Sequence, residues 1–332
     1  MKVISPNLSL YNLAQSKSVF VKHNRGLILG TGNDRLDLLH RLSTNSTRDL
    51  KQGDEVENIL TTDKGRIFSI LRILAFKDQI IMVTPDSITA ENTISWLEKY
   101  TIMDDFKTKN ISKDYKVISI FGDDTSEIVT SLFGVTPPDK GKYATIFIAE
   151  KEAFIIRSNR FTGATSFSII LPIEIYDFLT NIISEVIPEI DNETYLTFRI
   201  EAGLPTFGSE LNENYNPLEA GITNLISWTK GCYIGQEVIA RLDTYDKVQR
   251  HLCGLVLNQN VKDHEYDLLT INSIDDDARI GTITSICFSP KLNKTICLGY
   301  IKTKYAIPEL NVNVNHENLK ISDALITKIP FI

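Results

Sequence analysis

The feature that most constrains the fold is the order of strand-like and helix-like segments between residues 113 and 189. The order is strand, helix, strands, helix, in the segments YKVISIFG, DDTSEIVTSLFG, YATIFIA, AFIIR, FSIIL and IEIYDFLTNIISEVI. The first helix is predicted to end at Gly134, because glycine is common just after the last helical residue. This order is that of a ferredoxin-like α/β unit, so the region predicts one such subdomain.

The residues before this region predict another α/β block. Residues 31–45 predict a helix, and residues 56–76 predict a hairpin around the turn Asp63-Lys64-Gly65. The segment TYLTFRIEAGLP, which begins near residue 192, is predicted to return the chain to this first block. The chain is therefore expected to have an α+β fold in which one subdomain is inserted into the other.

The length of 332 residues exceeds what one hydrophobic core usually supports, so we predict two or three domains. After about residue 246, short strands separated by polar turns predict a small antiparallel barrel. The predicted division is 1–245 for the α+β region and 246–332 for the barrel. Within the α+β region, one subdomain is predicted over about 1–112 plus 190–245, and the other over about 113–189.

Composition excludes several classes of protein. The hydrophobic content of 42% and the charged content of 23% are ordinary for a globular protein. A net charge of -7 argues against a general electrostatic grip on nucleic acid or on an anionic membrane. The chain has neither a signal-like start nor a run of about 18 apolar residues. Its four cysteines have no CxxC spacing, and its histidines have no HExxH spacing, so we predict no metal site and a cytoplasmic location.

The motif with the most chemical content runs from Lys230 to Glu237, KGCYIGQE. Two glycines flank Cys232, which suits a displayed thiol, and a lysine two residues earlier favours the thiolate form. The alternative is a glycine-punctuated turn that holds a small buried cysteine. Arg241 follows on a predicted helix, where it either faces an anionic ligand or pairs with Glu237 four residues earlier.

A carboxylate and an amide are further candidate ligand contacts. Glu201 is predicted in the last turn of a helix, where the helix dipole disfavours a carboxylate. A carboxylate there can accept the paired N–H donors of an aminopyrimidine edge, although an ordinary surface glutamate is the alternative. Asn45 offers a donor and an acceptor together, or it simply caps a turn. The basic residues Lys64 and Arg66 in the hairpin turn are either an anion contact or exposed turn residues.

The motif KGCYIGQE, followed by Ala240-Arg241, resembles the signature of the YgfZ family. Those proteins bind folate, are similar to the glycine cleavage T-protein, and are linked to iron–sulfur cluster assembly or repair. Further similar blocks occur in the expected order over roughly residues 30–302: LLHRLSTN, LTTDKGRI, RIEAGLPTFGSEL, NPLE, GTITSICFSP and ICLGYI. A chance match of this extent and order is an unlikely explanation.

The resemblance implies a three-lobed, cloverleaf arrangement: two ferredoxin-like subdomains and a C-terminal barrel around a central hole that holds tetrahydrofolate. It implies that Glu201 binds the pterin ring and that Asn45 lines the hole. Arg241 and Lys230 are further expected folate contacts, and Cys232 is the expected functional thiol. The implied partners are folate and iron–sulfur client or assembly proteins, such as tRNA-modifying enzymes, with no direct nucleic acid or membrane contact.

The chain departs from the family pattern in one respect that bears on catalysis. Aminomethyltransferases carry an aspartate pair after the hairpin glycine, and one member is essential for transfer, whereas the corresponding stretch here, RIFSIL, has no carboxylate near Phe68-Ser69. Without that anion, no group is evident that would steer the aminomethyl nitrogen. We therefore predict a folate-binding accessory protein of the YgfZ type. The alternatives are a tetrahydrofolate-dependent aminomethyltransferase and a degenerate scaffold that binds partners without folate.

Overall fold

The computed structural model describes residues 1–161, 164–261, 265–317 and 319–332. The helices are α1 (Leu8–Ser16), α2 (Arg35–Leu42), α3 (Ser87–Tyr100), α4 (Thr125–Phe133), α5 (Ile173–Val186), α6 (Asn192–Glu201) and α7 (Gln236–Thr244). The first ten strands are β1 (Val19–His23), β2 (Gly26–Thr31), β3 (Glu55–Thr61), β4 (Ile67–Ala75), β5 (Gln79–Thr84), β6 (Lys107–Asn110), β7 (Tyr115–Phe121), β8 (Tyr143–Ile148), β9 (Lys151–Phe161) and β10 (Ala164–Pro172). The remaining strands are β11 (Arg250–Leu257), β12 (Leu269–Ser273), β13 (Arg279–Ser289), β14 (Lys294–Lys302), β15 (Asn311–His316) and β16 (Leu319–Thr327). Over the described ranges, no helix combines the length and the apolar character that crossing a bilayer requires.

The first sheet has the strand order β3-β4-β5-β2-β6. Along β4, Leu71 and Ile73 pack with leucines of α2 and α3, while Leu74 packs with residues of the second sheet. Successive strand residues point to opposite faces, so one face of the sheet is covered by helices and the other by the second sheet. The predicted hairpin is confirmed: β3 and β4 pair in antiparallel fashion, and the turn passes through Gly65 at φ +67°.

The second sheet has the order β1-β7-β10-β9-β8, and α4 and α5 cover its outer face. The predicted strands and helices of this region are present, and Gly134 ends α4 in the left-handed conformation at φ 64°. One strand comes from the N-terminal block, because β1 pairs with β7. Strand pairing therefore connects the two predicted subdomains, and the boundaries near residues 112 and 190 stay a prediction.

The C-terminal region forms a closed antiparallel barrel in the strand order β11-β14-β13-β12-β15-β16. Its interior is filled by aliphatic side chains that include Leu255, Ile271, Ile283 and Val314. Closure pairs both edges of the sheet, so the barrel has no free edge strand. The prediction of an α+β fold with two ferredoxin-like sheets and a small barrel is confirmed.

Helix α6 connects the three regions. It packs against β1 and β9 of the second sheet and against β13 and β14 of the barrel. A buried ion pair fixes this junction: Arg199 donates to the Glu210 carboxylate at 2.9 Å, and the two side chains are 7% and 0% exposed. Arg199 also donates to the Ser285 hydroxyl of the barrel at 2.8 Å. The same short helix ends at Glu201, so this network positions the predicted pterin ligand.

Candidate functional site

A cavity of about 380 Å³, called the large cavity below, lies between α1, the second sheet, α6 and the barrel. Its wall combines the end of α1, the turn after β7, the end of α6, and the loop between β13 and β14. The residues that bear on the argument below are Lys17, Asp124, Phe198, Glu201 and Lys291. Its volume falls within the usual range for a small-molecule site, which is about 300–1,000 Å³.

Glu201 is placed at this cavity as the last residue of α6, as predicted, but it is a buried residue with 1% exposure. The Tyr11 hydroxyl donates to both carboxylate oxygens, at 2.8 Å and 2.9 Å, and the Ser289 hydroxyl donates to Oε1. Burial raises the pKa of the Glu201 carboxyl, while the two hydroxyl donors act in the opposite direction. The buried carboxyl group is therefore held in place by two neutral hydroxyl donors.

Tyr11 and Ser289 were missed in the sequence, where both lie in segments without a recognisable motif. Tyr11 is 190 residues from Glu201 along the chain, and only the fold brings α1 against α6. Its ring stacks on Phe198 with centroids 4.7 Å apart and an interplanar angle of 3°. No local signal marks such a long-range pair.

Residues 230–237, called the cysteine loop below, pack against the β3–β4 hairpin turn. Gly235 has φ +80°, and a Cβ added there would lie 2.4 Å from the Thr62 carbonyl oxygen and 3.0 Å from the Gly65 Cα. The Thr61 hydroxyl donates to the Ile234 carbonyl at 2.5 Å. Two glycines in contact thus hold the loop, which leaves Cys232 exposed while Cys253 is half-buried and the other two cysteines are buried.

Lys230 is a half-buried cation whose ammonium group is bound by backbone carbonyls. Its ammonium group donates to the carbonyl of His40 in the last turn of α2 and to those of Ser43 and Asn45 just beyond it. Burial, with a smaller contribution from Arg48, lowers the pKa of Lys230 to about 8. These three carbonyls anchor the loop that carries Cys232 to the C-terminal end of α2, where helix carbonyls lack intrahelical partners. A contact of Lys230 with folate stays a prediction.

The other predicted contacts lie around this loop or beside it. Asn45 donates through its side chain to the Glu57 carbonyl at 3.2 Å and accepts from the Ser46 backbone N–H at 2.9 Å. Arg241 is exposed on α7. In the described part of the chain, neither Asn45 nor Arg241 lines the large cavity, and their contacts with folate stay predictions. Arg66 donates to the Glu219 carboxylate at 3.0 Å, which gives it a structural partner.

A smaller cavity, about 60 Å³, lies between the two sheets and borders β4 just after the Phe68-Ser69 stretch. Phe68 faces away from it and stacks on Trp96, and Ser69 is fully buried, where it accepts from the Thr93 hydroxyl at 3.3 Å. The next residue, Ile70, lines the cavity together with Arg72. β4 therefore presents an aliphatic side chain and a cation to this cavity, and Glu57 of β3 adds a carboxylate that accepts from Arg72.

The two cavities follow one face of α6. Tyr195 lines the smaller cavity, whereas Phe198 and Ala202 line the larger one. Residues at spacings of three and four share a helix face, so the cavities are consecutive along α6. The loop from Lys230 to Glu237 contributes no described residue to either wall. In the structure, the carboxylate site at Glu201 is thus separate from the cysteine loop. Among the described residues, no group of three or more His, Cys, Asp or Glu side chains is arranged to hold a metal ion.

Comparison with known proteins identifies the family. Residues 15–230 match the profile of the GCVT N-terminal domain, and residues 250–332 match that of the glycine cleavage T-protein C-terminal barrel domain. The chain is 25% identical to an aminomethyltransferase of Thermoanaerobacter pseudethanolicus, over 98% of this chain and 88% of that protein. It is 26% identical to a putative chloroplastic transferase of Arabidopsis thaliana, over 92% of this chain and 69% of that protein.

A solved structure agrees with these matches at the level of the fold. The glycine cleavage system aminomethyltransferase T from Bartonella henselae superposes with a TM-score of 0.82 at 19% identity, covering 98% of this chain and 89% of that one. The N-terminal profile alone covers well over half of the chain. This chain therefore belongs to the glycine cleavage T-protein family.

Proposed function

We propose that this protein binds a reduced folate without transferring an aminomethyl group, and that it acts as an accessory factor of the YgfZ type for iron–sulfur cluster assembly or repair. The observation that carries the proposal is that the chain keeps the Glu201 carboxylate and lacks the aspartate pair of the aminomethyltransferases. Glu201 stands buried at the large cavity, whereas Phe68 and Ser69 stand where aminomethyltransferases carry the aspartate pair.

The residues at the large cavity fit a pterin. A pterin presents two parallel N–H donors, and the Glu201 carboxylate is a buried acceptor of the kind that such an edge requires. The Phe198 ring offers a flat face beside that carboxylate, and aromatic pairs stack favourably. Tetrahydrofolate supplies nitrogen atoms that carry one-carbon units. The chain's own residues bind and orient the ring system.

Transfer of an aminomethyl group calls for an anion near the reacting nitrogen, and this chain has Phe68 and Ser69 where aminomethyltransferases carry that aspartate. A cationic nitrogen that develops charge is stabilised by a nearby anion, and catalysis depends on such preorganised charge. Ile70 offers no charge, and Arg72 would repel a cation. Arg72 donates to the Glu57 carboxylate at 2.6 Å, so the nearest acid is already paired. This arrangement supports folate binding and argues against transfer.

The iron–sulfur part of the proposal rests on the cysteine loop. Cys232 is exposed on a loop held by Gly65, Gly235 and Lys230, so the thiol is presented by a fixed backbone. An exposed thiol of this kind can make transient contact with a cluster, with sulfur or with another thiol of a client protein. Iron and sulfur would then be cargo or substrate rather than a resident cofactor.

The second candidate is a tetrahydrofolate-dependent aminomethyltransferase. It is favoured by the names of the relatives, because several proteins that align with nearly the whole chain are named aminomethyltransferase. Both candidates require folate, so they differ only in the step that follows binding. Aminomethyl transfer in a reconstituted assay separates them.

Replacing Glu201 with glutamine is expected to weaken tetrahydrofolate binding about 100-fold, because hydrogen bonds to a charged acceptor contribute about 1.5–3 kcal/mol. The measurement is an anaerobic tetrahydrofolate titration in which calorimetry records the heat of binding. Glu237→Gln is the matched control, since Glu237 is exposed on α7 outside the cavity wall, and its affinity should equal that of the wild type. A wild type that does not bind folate would eliminate both candidates, whereas equal affinity of Glu201→Gln would remove Glu201 from the site.

A further inference from the structure

The Tyr11 hydroxyl occupies both oxygens of Glu201 from α1, while Phe198 and Glu201 themselves line the large cavity. Its oxygen is 2.8 Å from one carboxylate oxygen and 2.9 Å from the other, so it lies almost midway between them. A pair of parallel donors would have to approach the carboxylate from this direction, because bidentate pairing uses both oxygens at once. The Ser289 hydroxyl takes a further acceptor position on Oε1.

The Tyr11 ring also covers the face of the Phe198 ring beside the carboxylate. Its ring lies parallel to the Phe198 ring, at 4.7 Å between centroids, and the side chain is only 2% exposed. Tyr11 thus has the two properties that make a pterin fit this place: a flat ring that stacks on Phe198 and a polar edge that donates to both oxygens of Glu201.

Helix α1, which carries Tyr11, is a short strap attached at both ends. On one side, Ile4 exchanges backbone hydrogen bonds with β13 of the barrel through Ile286 and Phe288. On the other side, β1 is paired within the second sheet. Between these attachments, Tyr11 is the buried residue of α1, and a nine-residue helix has little stability of its own. α1 is therefore the segment that has to move if Tyr11 is displaced.

We propose that Tyr11 is a competitor of the pterin ring at Glu201, so that α1 has to move aside before a folate can pair with both carboxylate oxygens. This inference rests on the proposed folate binding and concerns the affinity and the rate of that binding. The tyrosine keeps the buried carboxylate hydrogen-bonded when folate is absent. Displacing it exposes the Phe198 ring and the paired acceptor to the ligand together.

The test is tetrahydrofolate binding by Tyr11→Phe, which keeps the ring and removes the hydroxyl. We expect about tenfold tighter binding than in the wild type, because no charge-assisted hydrogen bond has to be broken. Tyr143→Phe is the matched control: Tyr143 is also buried and donates to the Ala75 carbonyl at 2.9 Å, outside the large cavity. Its affinity should equal that of the wild type.

Hydrogen exchange of the wild type gives a second readout that needs no variant. On addition of tetrahydrofolate, the amides of α1 should exchange faster, while those of β1 should not. Unchanged or weaker binding by Tyr11→Phe, or slower exchange in α1, would overturn the competition while leaving folate binding in place. Absence of binding by the wild type, Tyr11→Phe and Tyr143→Phe alike would instead overturn the proposed function, and this inference with it.

Discussion

Replacing Arg199 with methionine is expected to lower the free energy of unfolding by about 3–5 kcal/mol, because the change leaves the buried Glu210 carboxylate without its cation. Both side chains of the pair are buried, and Arg199 also donates to the Leu204 carbonyl and the Ser285 hydroxyl. The measurement is denaturant unfolding monitored by circular dichroism. Loss of folate binding should accompany the loss of stability, since the network holds the end of α6.

Two further variants make this prediction specific. Arg48→Met removes an exposed pair with Asp37, whose side chains are 55% and 44% exposed, and should cost no more than about 1 kcal/mol. Adding Glu210→Gln to Arg199→Met should restore part of the stability, because it removes the unpaired charge. If Arg199→Met costs no more than Arg48→Met, or if the double variant is less stable than Arg199→Met, the buried charge is not what stabilises this junction.

Replacing Cys232 with serine is expected to reduce iron–sulfur enzyme activity to the level of cells that lack the protein, while tetrahydrofolate binding by the purified variant stays unchanged. The physical reason is separation: Cys232 is exposed on a loop that contributes no described residue to the wall of the large cavity. The measurement combines the activity of iron–sulfur enzymes in complemented deletion cells with a folate titration.

Cys253→Ser is the control for this experiment. Cys253 is half-buried in β11, and burial raises the pKa of its thiol to about 11, so little thiolate forms at neutral pH. This variant should complement fully. Full complementation by Cys232→Ser as well would make the exposed thiol structural, and a parallel loss of folate binding would show that the two sites are not separate.

Much of the fold follows from local patterns. The helix from Thr125 to Phe133 ends where a glycine can adopt positive φ, and β4 shows the alternation of a strand packed between two layers. Strand β1 is the exception, because it lies in the N-terminal block yet pairs with β7. Nothing local distinguishes the two possible partner sheets for such a strand. Its pairing is decided by tertiary contacts.

The candidate site was predictable in its parts but not in its arrangement. Glycine and lysine in the cysteine motif indicated a turn and a charge, but the contact of Gly235 with Gly65 and the anchoring of Lys230 on α2 depend on the assembled fold. Glu201 could be found from its motif and helix end. Its partner Tyr11 could not, since a tyrosine in a short N-terminal helix carries no sign of a distant carboxylate.

The central claim, folate binding without transfer, is tested most directly by an aminomethyl transfer assay in which this protein replaces the T-protein of a reconstituted glycine cleavage system. Tetrahydrofolate is supplied at a concentration at which titration shows the protein to be saturated, and an active T-protein serves as the positive control. We predict background turnover, because Phe68 and Ser69 stand in place of the aspartate pair and the Glu57 carboxylate at the smaller cavity is paired with Arg72. Robust tetrahydrofolate-dependent turnover would contradict the account and establish the protein as an aminomethyltransferase.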